Sequence, residues 1–79
     1  MENSTRPIYQ IAKEIKYEWK NVNFAVVPYL KAMQELTNVD DVYIYDSAKS
    51  IIRYFLSNAS SFRGESTKRI KKELNDMIN

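Results

Sequence analysis

The chain has 79 residues, twelve basic and ten acidic side chains for a formal charge of +2, no cysteine and no histidine. That length allows one domain with a modest core, and an apolar share of 44% predicts a chain that folds. Without cysteine and histidine there are no disulfides, no thiolate catalysis, no thiolate zinc or iron–sulfur sites, and neither the commonest general base nor the commonest transition-metal ligand; so weak a basic excess does not by itself argue for nucleic acid.

Residues 1–5 read as a flexible N-terminus. MENSTRP lacks the basic-then-apolar layout of a signal peptide, and no run reaches the length of a transmembrane helix. The expected setting is therefore cytoplasmic and off the membrane. There, Asn3-Ser4-Thr5 and Asn58-Ala59-Ser60 would be chance matches to the glycosylation pattern. The richness in Lys, Asn, Ile and Tyr points to an AT-rich bacterial or phage genome.

A first helix is expected over about 6–20. Thr5 can cap it, and Pro7 fits its opening turn, where the missing N–H would be unpaired anyway. Ile8, Ile11, Ala12, Ile15 and Trp19 share one stripe. Lys13, Lys16 and Lys20 lie on one flank with Tyr9 among them, and Glu14 and Glu18 lie on the other. No opposite charges sit three or four residues apart, so this helix has no internal ion pair. Its flanks are solvated, pair with neighbouring helices, or, for the lysines, meet an acidic partner.

Asn21-Val22-Asn23 reads as a turn before a second helix over about 24–37, with Val26, Tyr29, Leu30, Met33 and Leu36 on one face and Thr37-Asn38 as its stop. Pro28 leaves two options. The helix starts at Val27, or Phe24 to Val27 form a first turn kinked against the proline. VDDVYIY, 39–45, alternates like a strand but has no evident partner strand, so an irregular or single-turn connector leading to the Asp46 cap is expected. If extended, it is an edge able to recruit a partner.

The third helix, about 46–59, is expected to be central. Ala48, Ile51, Ile52, Phe55, Leu56 and Ala59 span roughly 140° of arc, wider than an ordinary surface stripe. Asp46 is the expected N-cap and Asn58 the stop. A last helix over about 61–78, capped by Ser60 or Ser61, would align Phe62 with Ile70, Leu74, Met77 and Ile78.

The fold class is thus all-α, a compact bundle of about four short helices in a single domain spanning 6–79. Its expected core is Ile8, Ile11, Ile15, Trp19, Leu30, Met33, Ile51, Ile52, Phe55, Leu56, Ile70 and Leu74. Short connections favour antiparallel neighbours.

Three pieces carry a resemblance: Val27 to Met33 (VPYLKAM), Tyr54 to Glu65 (YFLSNASSFRGE) and Ile70 to Leu74 (IKKEL). They resemble a group of small uncharacterised bacterial proteins encoded on chromosomes, plasmids or phages. The likeness runs from about Arg6 onward. It implies a single small domain and no particular mechanism.

The residues offer little for catalysis. No phosphate-cradling Gly-rich loop or nucleophile motif is present. Asp40, Asp41 and Asp46 could supply oxygen ligands to Mg²⁺ or Ca²⁺, but without EF-hand spacing, so capping and solvation account for them. We therefore expect no enzyme, no cofactor and no metal.

Two binding readings remain. Ten aromatic side chains (six Tyr, three Phe, one Trp) favour protein contact, since aromatics are enriched where proteins meet. Tyr9, Tyr17, Tyr43 and Tyr45, with Lys13, Lys16 and Lys20, are the candidate contact residues for a protein partner or a homodimer. The alternative is nucleic-acid binding by the basic last helix, with Arg63, Lys68, Arg69, Lys71 and Lys72 as candidate phosphate contacts. Glu65, Glu73 and Asp76 dilute that face.

Overall fold

The computed structural model describes residues 6–79. The Thr5 cap and the flexible N-terminus expected over 1–5 fall outside the described residues. The elements are α1 (Ile8–Glu18), a 3-10 turn (Phe24–Val26), α2 (Val27–Met33), β1 (Val42–Tyr43), β2 (Asp46–Ser47), α3 (Ala48–Ser57) and α4 (Glu65–Ile78). The fold is a mostly helical, compact domain with one minimal hairpin. No helix among the described residues is long and apolar enough to cross a membrane.

The four helices close a ring: α1 packs on α2 and α4, and α3 packs on the same two. Each helix thus has two helical neighbours, and the packing of α3 on them is more extensive than that of α1. Eleven of the twelve expected core residues are buried, and Leu56 is instead half-buried at the edge. The core also takes in Val26, Leu36, Ala48, Ala59, Phe62 and Ile78.

Every helix is shorter than its stripe suggested; a tertiary contact sets the start of α1, and local caps set the ends of α3. No side chain caps α1. The N–H groups of Ile8 and Tyr9 instead donate to the carbonyls of Thr37 and Leu36, at 2.8 and 2.9 Å. Free first-turn donors need such partners, and here the chain after α2 supplies them. At the other end Trp19 turns extended while its N–H still reaches the Ile15 carbonyl.

The Pro28 alternative resolves to a helix beginning at Val27, preceded by a separate 3-10 turn. Asn23 caps that turn through its side chain, which accepts from the Ala25 N–H at 3.1 Å. α2 then stops at Met33 with Gln34 as its C-cap, short of the expected Thr37. Leu36 is still buried, but from the turn that follows.

The third helix begins two residues later than expected. Asp46 belongs to β2, and Ser47 is the cap, accepting from the Ser50 N–H at 3.1 Å. Asn58 does end the helix, and its side-chain amide donates to the Tyr54 carbonyl at 2.9 Å. The fourth helix starts at Glu65 rather than near Ser61, and neither Ser60 nor Ser61 caps it. Its N-cap is Gly64, at φ +123°, where a side chain would be strained although the space beside it is open. Phe62 is buried from the loop before the helix.

Candidate functional site: the hairpin tip and the lysine-rimmed groove

Within the connector 39–45, residues 39–41 are turn and coil, but Val42–Tyr43 is a strand with a partner. Val42 pairs with Ser47 and Tyr43 with Asp46 in an antiparallel ladder, leaving Ile44-Tyr45 as a two-residue turn. Its base is fastened. The Asp41 carboxylate accepts from the Thr37 and Asn38 N–H groups at 2.8 and 3.1 Å, and the Ala48 N–H donates to the Asp41 carbonyl at 2.8 Å. Asp40 and Asp46 are exposed.

The tip is apolar and open to solvent. Val42 is 64% exposed, Ile44 73% and Tyr45 95%, while Tyr43 packs against the core. Ile44 also has φ +58°. A tight hairpin turn with positive φ at its first central residue favours glycine there. A β-branched residue in that region is a genuine outlier, held at a cost of about 1–3 kcal/mol.

A second surface lies between α1 and α2. It is an open groove of about 420 Å³. Trp19, Val22, Val27 and Leu30 form its floor, and Lys16, Lys20 and Lys31 its rim. Trp19 and Leu30 are core residues showing one edge, and Val27 is 38% exposed. No carboxylate lines the groove. Among the described residues none of the three lysines is in a salt bridge. The Lys20 ammonium lies 5.5 Å over the Tyr17 ring, which is itself largely exposed.

The expected contact residues therefore divide. Lys16 and Lys20 line the groove, with Tyr17 beside Lys20. Tyr9 and Lys13 are exposed on α1 and line neither this groove nor the larger cleft beside Arg6. Tyr45 leads the hairpin, and Tyr43, half-buried, supports it from below. Sequence reasoning missed Val42, Ile44, Val27 and Lys31. The VYIY alternation was the available signal for the first two. Lys31 had none, because its place beside Lys16 depends on how α1 and α2 pack.

Three of the four basic side chains of α4 have partners within the protein, Arg69 and Lys72 while remaining exposed. Arg69 pairs with Glu14, Lys72 with Asp76 at 3.0 Å, and the Lys71 ammonium lies 5.9 Å from the Phe62 ring centre. Arg63 Nε reaches the Ser60 carbonyl at 3.4 Å. Lys68 is exposed.

Arg6 anchors the other large concavity, a cleft of about 610 Å³ bordered by Pro7, Asn38, Val39, Asp76 and Met77. Its guanidinium donates to both Glu73 carboxylate oxygens, at 3.0 and 2.8 Å, and lies 2.8 Å from Glu14 Oε1 in a poorly aligned contact. The pairing with Arg69 and Arg6 holds the Glu14 carboxyl below its ordinary value, against the opposing effect of burial. Glu73 and Glu14 in turn raise the Arg6 pKa. Among the described residues there is no cluster of three potential metal ligands. No family model, characterised protein or solved structure matches the chain.

Proposed function

We propose that this chain is a small non-enzymatic protein that acts through protein contacts, and that the hairpin Val42 to Ser47 is its contact element. The observation that carries this reading is Ile44. The side chain is apolar and 73% exposed, and its backbone is in a conformation that glycine would adopt without strain. Neither folding nor solubility favours isoleucine there, whereas burial against a partner would offset both costs. Beside it, Tyr45 offers almost its whole ring, and buried tyrosines are frequent hot spots of interfaces.

Phosphate binding by α4 has less support, since Arg69 and Lys72 are paired with carboxylates and Lys71 leans on Phe62. A photo-crosslinking phenylalanine analogue at position 45, used in the source cell with Ser57 as an exposed control site, tests the reading. Discrete protein adducts at 45 and none at 57 are expected. Absence of protein adducts, with retention on duplex DNA that weakens steeply with salt, would overturn it in favour of the nucleic-acid alternative.

A further inference from the structure

The hairpin and the groove have opposite characters and share no residue. From Ala32 to Ala48 the chain carries four carboxylates (Glu35, Asp40, Asp41 and Asp46) and no lysine or arginine. The tip that emerges from this stretch is apolar at Val42, Ile44 and Tyr45. The groove has an apolar floor ending at Trp19 and Leu30, and a rim of Lys16, Lys20 and Lys31 with no carboxylate between them. An acidic, apolar knob and a basic, apolar slot match in both charge and polarity, which is how interfaces select partner and register.

We propose that the groove receives the hairpin tip of a second copy of this chain. This rests on the reading of the hairpin as a contact element and adds its occupant. Ile44 and Tyr45 enter over Trp19 and Val27, while Asp40 and Asp46 approach the lysines. The tip is not seated in its own groove, since Tyr45 is 95% exposed. The hairpin is also held at its base by Asp41 and by the packing of Tyr43. Val27, with the exposed edges of Trp19 and Leu30, is the apolar floor that an inserted element would meet. Tip and slot are different surfaces, so they meet either twice, reciprocally, in an isologous pair about a two-fold axis, or head to tail in a heterologous chain. A contact built on one hairpin tip is smaller than the ~1,200 Å² at which stable complexes begin, so the association is weak and depends on concentration and salt.

The test uses two variants altered at exposed positions. The tip variant is Ile44→Ser with Tyr45→Ser, and the groove variant is Lys16→Glu, Lys20→Glu and Lys31→Glu. Sedimentation equilibrium of the wild type should show self-association that weakens with added salt. Each variant alone should associate more weakly by roughly tenfold or more, as expected when complementary charges or the apolar anchors are removed. The isotope-labelled tip variant, mixed with the unlabelled groove variant to millimolar concentration, should show amide shifts around Lys16 to Lys31, because one intact tip then meets one intact groove. A wild type that is monomeric throughout, variants that associate like the wild type, or a mixture without those shifts would each overturn the proposal. The crosslinking experiment separates its failure from that of the broader reading. Adducts at position 45 to a different protein would retain the hairpin as a contact element and remove the second copy as its occupant.

Discussion

The indole of Trp19 lies nearly flat on the ring of Phe62, with centroids 4.8 Å apart and planes 19° from parallel. Phe55 meets the same indole edge-on at 6.3 Å and 77°. Trp19 closes α1, Phe55 is on α3, and Phe62 lies in the loop before α4. Three rings therefore fix the junction of three segments, in the stacked and edge-to-face geometries that aromatic quadrupoles favour. One edge of that indole also forms the floor of the lysine-rimmed groove.

Phe62→Ala should cost about 3–5 kcal/mol, the usual range for emptying a buried aromatic site. Trp19 is the only tryptophan, so its emission should shift to the red as water reaches the uncovered indole face. Chemical denaturation followed by fluorescence checks both. An unshifted emission in the folded variant would mean that the stacking is replaced by another cover.

Phe55→Ala should also cost about 3–5 kcal/mol, a large part of the stability of so small a domain. The milder pair Phe55→Leu and Phe62→Leu allows a double-mutant cycle in a folded protein. Because both rings contact Trp19, their effects should be non-additive by roughly 0.5 kcal/mol or more. Strict additivity would show that Trp19 does not couple them.

The helical stripes were legible because they are local. Ile8 to Trp19 and Ile51 to Phe55 repeat with the helical period whatever surrounds them. The start of the first helix was not, because its partners are distant in sequence, whereas the Asn58 stop, a local cap, was. Nothing near Ile8 announces that its N–H will meet the Thr37 carbonyl, and nothing near Arg6 announces Glu73. Phe62 was expected inside for the wrong reason, since it is buried by Trp19 and not by helical alignment with Ile70. The hairpin escaped because its turn lacks the glycine or asparagine that normally signals one. That missing signal and the strain at Ile44 are one fact, and it marks the candidate site. Consistency between local sequence and fold fails most often where function intervenes.

Glu14 contributes to the acid limb of stability. Its carboxyl, held by Arg69 and Arg6, titrates below the ordinary 4.5 in the folded chain. The folded state therefore binds fewer protons than the unfolded chain in that range, and stability is lost as pH falls through the folded value. Stability should be flat above about pH 5 and decline below pH 4.5, the unfolded carboxylate value from which the shift is measured. Glu14→Gln should be less stable at neutral pH and lose less on acidification. Urea midpoints between pH 3 and pH 7 measure this, and an unchanged acid limb in the variant would remove Glu14 as its source.

Ile44→Gly separates the two roles of the hairpin. Glycine relieves a positive φ that costs a β-branched residue about 1–3 kcal/mol, and it returns roughly 0.5–1 kcal/mol through the greater freedom of the unfolded chain. The net expectation is a gain of about 1 kcal/mol, read as a higher denaturant midpoint at unchanged slope. Self-association and crosslinking from position 45 should fall in the same variant, because the apolar anchor is gone while the turn is retained. A more stable protein that binds less well is the pattern of strain kept for contact. A less stable protein would mean that the Ile44 side chain supports the hairpin from within. A stable protein with undiminished contacts would leave Tyr45 and Val42 as the anchors and free Ile44 of any part in binding.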